Sequence, residues 1–211
     1  LMTNKHFFKI KSKDIQQVFP THIFIKDNYI DIDKVHTMKD EVNNMYRGSQ
    51  KPNWQSGHDL HENEVFKYFL IDISKSAFQI IDQLQYKVDG IQITDMWANV
   101  LKPGETHQPH THSNNFLSGV FYLDAEETSG ITFQDPRPAA HVIQPSRIKT
   151  DSNNASLLNY QSKTNRIIIF PSWLVHWVPI NQSTRDRISI SWNIQLKGRV
   201  GEHHEFQSGQ F

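Results

Sequence analysis

The sequence predicts a mainly β protein, an all-β barrel or jelly roll with two N-terminal helices packed against it. From Gly90 onward, short runs of β-branched and aromatic residues alternate with turn residues, as in proteins built from many short strands. Two amphipathic helical patterns precede that point. The length of 211 residues suits one domain. We expect a single domain over 1–211, with an N-terminal strand and supporting helices at 19–90, the jelly-roll core at 91–197 and a tail at 198–211.

The N-terminal part begins with a short β-rich run that predicts a strand near residues 21–26. Apolar residues then recur every three or four positions, which predicts an amphipathic helix over 31–47. Residues 48–63 are rich in Pro, Gly, Ser, Asn and Gln and read as a loop. A second helical pattern runs from Val65 to Leu84. Both helices should pack against one face of the β structure that follows.

The β part is predicted from five apolar runs separated by turn residues. The predicted strands are Ile91 to Leu101, Phe116 to Leu123, Ile131 to Phe133, Ile167 to Phe170 and Ile188 to Ile194. Residues 135–165 interrupt this rhythm and are too long for an ordinary hairpin connection. That segment is either a cover for an active site or disordered.

Composition excludes several classes of function. Lys plus Arg and Asp plus Glu both number 22, so no net charge attracts nucleic acid or an anionic membrane. The absence of cysteine excludes disulfides, zinc-thiolate sites, iron–sulfur clusters and thiol nucleophiles. No apolar run of about 18 residues and no signal-peptide pattern occurs, so we expect a cytoplasmic protein.

Histidines form the first candidate site. The chain has twelve, and His110 and His112 are two apart in a predicted strand, so their side chains share a face and can bind one ion. An isolated pair of this kind more often consists of ordinary surface residues, so a metal site needs a further ligand from elsewhere in the chain. His176 lies within a very apolar stretch, where a buried imidazole needs a partner for its nitrogens. It is either that partner or a satisfied core histidine.

Arg187 and Ser189 form the second candidate site. Alternation along the last predicted strand places them on one face with Ser191, opposite Ile188 and the other apolar residues. A guanidinium inside a barrel needs an anion, and it binds a carboxylate through two parallel hydrogen bonds. Arg187 with Ser189 therefore suits the distal carboxylate of a dicarboxylic acid. A structural ion pair or an exposed charge is the alternative.

The order of these residues resembles the 2-oxoglutarate/iron(II)-dependent oxygenase superfamily. His-x-His is followed by His176, sixty-six residues after His110, and by Arg-x-Ser eleven residues later. More closely, the chain resembles an oxygenase family of marine bacteria and their viruses. The matching blocks lie at Phe19-Pro20-Thr21, Trp97-Ala98-Asn99-Val100, His110-Thr111-His112, Ser118-Gly119-Val120-Phe121-Tyr122-Leu123, Asp135-Pro136-Arg137, Phe170-Pro171-Ser172-Trp173-Leu174-Val175-His176 and Arg187-Ile188-Ser189.

This resemblance implies a double-stranded β-helix (cupin-like jelly roll) with iron(II) in its mouth, and we take His110, His112 and His176 as the candidate metal ligands and catalytic centre. It implies an enzyme that converts 2-oxoglutarate and oxygen to succinate and carbon dioxide while oxidising, most simply hydroxylating, a second substrate. A viral member would act in the host cytoplasm. Jelly rolls of this type often pair, so a homodimer is one expectation.

Two further residues are candidates for binding the co-substrate. Asn99 can donate from its amide to the keto-acid end of 2-oxoglutarate, or it can cap a strand end. Tyr122 can donate its phenol to a carboxylate, or it can be a core aromatic residue. The loops at 48–63 and 136–165 are where we expect the second substrate to be recognised.

One position departs from the superfamily, which usually has His-x-Asp where this chain has His110 and His112. Three arrangements are open: His112 binds the metal directly, His112 supports a water ligand, or a carboxylate such as Asp124 or Asp135 reaches the metal. We favour the first. Two alternatives remain at this point, namely a cupin-like three-histidine metalloenzyme that does not use 2-oxoglutarate and a non-enzymatic jelly-roll binding module.

Overall fold

The computed structural model describes residues 11–137, 139–202, 204, 206 and 208–211. Residues 1–10 and parts of the predicted tail at 198–211 lie outside this range, and the single-domain assignment stays a prediction. The helices are α1 (Ile32–Tyr46) and α2 (Lys67–Gln83), with three short 3-10 turns at Ser12–Asp14, Leu60–Glu62 and Glu64–Phe66. The strands are β1 (Phe24–Lys26), β2 (Trp54–Gln55), β3 (Gly90–Leu101), β4 (His107–His110), β5 (Leu117–Asp124), β6 (Ile131–Gln134), β7 (Leu157–Tyr160), β8 (Ile167–Pro171), β9 (His176–Val178), β10 (Arg187–Lys197), β11 (Arg199–Val200) and β12 (Gly209–Gln210).

Two antiparallel sheets form the jelly roll. The larger has six strands in the order β1-β8-β5-β10-β3-β2, and the smaller has four in the order β4-β9-β6-β7. Strands β11 and β12 pair separately near the C-terminus. The order within each sheet differs from the order along the chain, as expected for strands that alternate between two sheets. The mainly β prediction is therefore confirmed.

The two helices cover the outer face of the larger sheet. Val35, Met38 and Val42 of α1, spaced at three and four residues, are buried in the same apolar cluster as Phe69 of α2. The ring of Phe69 lies edge-on to that of Trp192 in β10, with centroids 5.6 Å apart. In the part of the chain that the structure describes, no helix is long and apolar enough to cross a membrane.

Alternation along β10 separates the apolar core from the interior between the sheets. Ile188, Ile190 and Trp192 belong to the cluster beneath the helices. Arg187 and Ser189 face the other way, where Arg187 also lies over the ring of Tyr122 in β5. This arrangement follows from the period of two residues in a strand and agrees with the sequence prediction.

The structure corrects several local predictions. The first strand is Phe24–Lys26 rather than 21–26, and α2 begins at Lys67 after two 3-10 turns. The segment predicted as a loop at 135–165 contains β7, which pairs with β6. The predicted common strand for His110 and His112 is also wrong in detail, because β4 ends at His110 and His112 lies just beyond it. The backbone amide of His112 donates instead to the carbonyl of Ser172 at 2.9 Å.

Candidate functional site

Three histidines meet at one end of the jelly roll. His110 ends β4, His176 begins β9, and the two are directly opposite in the antiparallel ladder. One ring nitrogen from each of His110, His112 and His176 lies within 4.8 Å of the others. The Nε2 atoms of His112 and His176 are 3.3 Å apart. Three imidazoles at this separation can bind one divalent transition-metal ion.

Backbone carbonyls determine which nitrogen of two histidines is available. His110 Nδ1 is 2.7 Å from the carbonyl oxygen of Gln108, and His176 Nδ1 is 2.8 Å from that of Leu174. Because a carbonyl oxygen only accepts, both Nδ1 atoms carry the proton and donate it. The Nε2 lone pairs of His110 and His176 are therefore free for a metal. This is the usual way in which a protein orients histidine ligands.

The site keeps His112 and His176 neutral. Burial lowers the pKa of His176 to about 3, with His110 and His112 contributing and the Leu174 carbonyl opposing. Burial also lowers the pKa of His112 to about 4, again with a contribution from His110. Phe170 packs edge-on to His176 with ring centroids 4.6 Å apart, which accounts for part of this burial. Neutral imidazoles have free lone pairs, so these residues fit a metal cation.

No carboxylate joins the histidine group among the described residues. Asp124 is paired with Lys39 at 3.1 Å and with Arg185 at 2.8 Å. Asp135 is bound by Arg137 through Nε and Nη2, and this pairing lowers the pKa of Asp135 to about 2. Both carboxylates that the sequence offered as metal ligands are therefore held in ion pairs.

Arg187 is a buried cation between the sheets. Its side chain is 2% exposed, its Nε donates to the carbonyl of Ser129 at 2.8 Å, and its Nη1 donates to the hydroxyl of Ser189 at 2.9 Å. Within the described part of the chain, it forms no ion pair with a carboxylate. Burying a charge without a counter-charge is expensive, so an anionic ligand is the expected partner. The surroundings of Arg187 fit a carboxylate.

Tyr122 adds a free hydroxyl to this pocket. The residue is fully buried, and the guanidinium carbon of Arg187 lies 4.9 Å from its ring centroid. Among the described residues its hydroxyl makes no hydrogen bond of good geometry; burial raises the pKa of the phenol, and the adjacent guanidinium of Arg187 opposes that rise. A protonated hydroxyl beside an arginine can donate to the same anion. Tyr122 is thus well placed for the predicted role.

Asn99 is less free than the sequence suggested. Its Oδ1 accepts from Gln55 Nε2 at 2.9 Å, and its Nδ2 donates to the Ser191 hydroxyl at 3.1 Å. The residue is 2% exposed and lies opposite Ser189 across the β3–β10 ladder. One amide N–H is left over, because a primary amide has two. A contact between Asn99 and the co-substrate therefore stays a prediction.

Sequence reasoning missed two features of the site. His107, three residues before His110, has a buried Nε2 with no partner among the described residues. Burial, followed by the charge of Arg187, lowers the pKa of His107 to about 4. The ring centroid of Trp97 is 5.9 Å from that of His112 and 5.8 Å from that of His58, which is an exposed residue. His107 was visible in the motif, but only the structure shows that its Nε2 is buried and that the register of β4 shifts between His107 and His110.

Residues 95–193 match a family model described as "Putative 2OG-Fe(II) oxygenase". No curated protein matches the sequence. Among solved structures, a Pseudomonas putida prolyl-4-hydroxylase is similar at a TM-score of 0.62 and 13% identity, over 84% of this chain and 94% of that one. HygX from Streptomyces hygroscopicus, solved with nickel and 2-oxoglutarate, is similar at 0.62 and 10% identity, over 83% and 82% of the two chains.

A third similar structure is the collagen prolyl hydroxylase of Paramecium Bursaria Chlorella virus-1 in its 2-oxoglutarate complex. Its TM-score is 0.54 at 14% identity, over 82% of this chain and 94% of that one. At these identities the likeness establishes the fold, a jelly roll, and the family match covers the segment that contains all three histidines and Arg187. A specific closeness to marine bacterial and viral proteins stays a prediction.

Proposed function

We propose that this chain, which belongs to the 2OG-Fe(II) oxygenases and is a non-haem iron(II)/2-oxoglutarate-dependent dioxygenase, hydroxylates a second substrate and releases succinate and carbon dioxide. In that reaction one atom of dioxygen enters succinate and the other enters the substrate, while carbon dioxide comes from C1 of the 2-oxo acid. The observation that carries the proposal is the buried Arg187, which lacks a counter-anion among the described residues of the jelly roll that also holds the three-histidine group.

The proposed iron ligands are His110, His112 and His176. Bound iron(II) supplies the oxygen-activating chemistry that amino-acid side chains lack. The protein contributes orientation, because the carbonyls of Gln108 and Leu174 fix the protons on Nδ1 of two ligands. Three neutral ligands leave the site one charge more positive than two histidines and a carboxylate would. That difference favours a dianionic co-substrate.

The proposed seat for the distal carboxylate of 2-oxoglutarate consists of Arg187, Ser189 and Tyr122. Arg187 uses Nε and one N–H of Nη1 within the protein, which leaves Nη2 for the ligand. Ser189 and Tyr122 are both buried at this point. A charge-assisted pair in such a dry pocket is strong and directional. Asn99 is proposed to contact the keto-acid end with its remaining N–H.

The second substrate is proposed to approach from the side of His110, which is the exposed member of the triad. His58, in the loop where we expect the substrate to be recognised, lies next to Trp97, whose ring in turn lies beside that of His112. Similar structures include prolyl hydroxylases and a complex of HygX with hygromycin B, so one fold binds chemically unrelated molecules. The fold therefore does not select among substrate classes.

The test is a turnover assay without added substrate. Protein reconstituted with iron(II) and supplied with 2-oxoglutarate, ascorbate and air should form succinate slowly, with equal release of carbon dioxide. His176→Ala should abolish this activity, because it removes a buried ligand. A protein that holds iron and binds 2-oxoglutarate but forms no succinate under any substrate condition would contradict the proposal.

A further inference from the structure

We infer that His107 is an additional binding residue for the distal carboxylate of 2-oxoglutarate, completing the seat formed by Arg187, Ser189 and Tyr122. The inference rests on the proposed function and deepens it, because it assigns a residue that discriminates a 2-oxo dicarboxylate from a 2-oxo monocarboxylate. His107 is the first residue of β4 and pairs with Val178 of β9. A register shift lies between His107 and His110.

The first argument is an unsatisfied atom. His107 Nε2 is buried and has no hydrogen-bond partner among the described residues. Buried polar side-chain atoms in native proteins nearly always have a partner, and an exception in a ligand pocket points to a ligand. Tyr122 carries the same kind of unpartnered atom on the β5 side of the pocket. Two such atoms on different strands beside one buried guanidinium indicate a shared anionic partner.

The second argument is the register of the smaller sheet. His107 pairs with Val178, which is buried and lies two residues after His176 in β9, so the side chains of His107 and His176 are on the same interior face of that sheet. Arg187 is buried in the same interior, and its charge adds to burial in lowering the pKa of His107. His107 is neutral at pH 7, because its pKa is lowered to about 4. It therefore does not oppose Arg187 with a second positive charge, and it can donate one hydrogen bond from Nε2–H. A carboxylate has about four acceptor positions, more than Arg187 alone can fill.

The third argument is that the metal group is complete without His107. The described residues whose ring nitrogens converge within 4.8 Å are His110, His112 and His176, and His107 is outside that group. His107 lies near the metal group without belonging to it, so we assign the co-substrate as its partner. Bound 2-oxoglutarate would then contact both the metal and His107. His107 would then help to set the length of the acid that the pocket accepts.

The experiment compares two acids of equal chain length by calorimetry with the anaerobic iron(II) protein. One is 2-oxoglutarate, and the other is 2-oxopentanoate, which has a methyl group in place of the distal carboxylate. We expect His107→Leu to weaken 2-oxoglutarate about tenfold, the effect of one hydrogen bond to a charged group, and to leave 2-oxopentanoate unchanged. His107→Gln, whose amide nitrogen can occupy the position of Nε2, should restore most of the affinity. His36→Leu, at an exposed position on α1, is the matched control.

The outcomes separate the inference from the proposed function. Equal affinity of the wild-type protein for both acids would overturn the carboxylate seat itself. Discrimination that persists unchanged in His107→Leu would overturn only the role of His107. Loss of bound iron in His107→Leu would also overturn it, since His107 would then act on the metal. Should His107→Leu not fold, as judged by circular dichroism, His107→Asn replaces it, because the shorter amide does not reach the Nε2 position and should bind 2-oxoglutarate as weakly.

Discussion

Replacing Arg187 with methionine tests whether this buried cation serves a ligand or the fold. The unbranched side chain fills the space of the arginine stem and removes its charge. Removing one partner of a buried, hydrogen-bonded charge pair costs about 2–5 kcal/mol of binding. At 1.4 kcal/mol per factor of ten, Arg187→Met should weaken 2-oxoglutarate binding by about 30-fold to several thousand-fold. Iron content should stay at the wild-type level, because Arg187 is not part of the histidine group.

The effect of Arg187→Met on the ligand-free protein should be small. Relief of an uncompensated buried charge stabilises the fold, whereas loss of the bonds to the Ser129 carbonyl and the Ser189 hydroxyl destabilises it by a similar amount. Calorimetry with 2-oxoglutarate and a thermal melt measure both quantities. Arg185→Met is the control, because Arg185 is half exposed and, among the described residues, forms an ion pair with Asp124 alone. Unchanged 2-oxoglutarate affinity in Arg187→Met, or weakening of equal size in Arg185→Met, would refute the reasoning.

Three further predictions address the metal, the pH dependence and the fold. His112→Ala should weaken iron binding by more than about 100-fold, because the loss of a residue that only supports another ligand costs at most about that factor. If the variant keeps one equivalent of iron, His112 is not a metal ligand. In metal-free protein, His112 and His176 have depressed pKa values of about 4 and about 3, so the unfolded chain binds more protons below pH 6.5. The free energy of unfolding should therefore be flat above pH 6.5 and fall by up to about 1.4 kcal/mol per pH unit per histidine down to about pH 4; urea titrations that show a rise on acidification would contradict this. A Cβ on Gly119 would overlap the Trp192 ring, so Gly119→Ala should destabilise by about 1–3 kcal/mol in thermal melts, whereas Gly90→Ala, where only ordinary contact arises, should not.

The fold was largely predictable because its strongest signals are local. Val35, Met38 and Val42 are spaced by three and four residues, as expected for a helix that buries one face against a sheet. Alternation along β10 correctly separated Arg187 from Ile188. Strand β7 was missed because it lies at the edge of the smaller sheet and its side chains are only partly buried, so its composition resembles that of a loop.

The residues of the candidate site could be predicted from the sequence, but most of their hydrogen bonds and ion pairs could not. Sequence order pointed to the histidine triad, and the structure brings those residues together across β4 and β9. The pair between Asp135 and Arg137 is local, since the two residues are two apart. Asp124 pairs with Lys39 and Arg185, which are far from it along the chain, so no local pattern shows these ion pairs. The commitment of Asn99 to Gln55 and Ser191 is likewise a tertiary feature. His107 emerged only when its burial and its unpartnered nitrogen were known.

The most direct test of the central claim is an anaerobic titration of the iron(II) protein with 2-oxoglutarate. Chelation of iron(II) by a 2-oxo acid produces a visible charge-transfer absorption band, which reports the metal and the co-substrate in one signal. We predict a saturable band at one equivalent of iron per chain, absent from His176→Ala and shifted to much higher 2-oxoglutarate concentration in Arg187→Met. No band in protein shown to hold iron(II) would contradict the account and favour a three-histidine metalloenzyme that does not use 2-oxoglutarate.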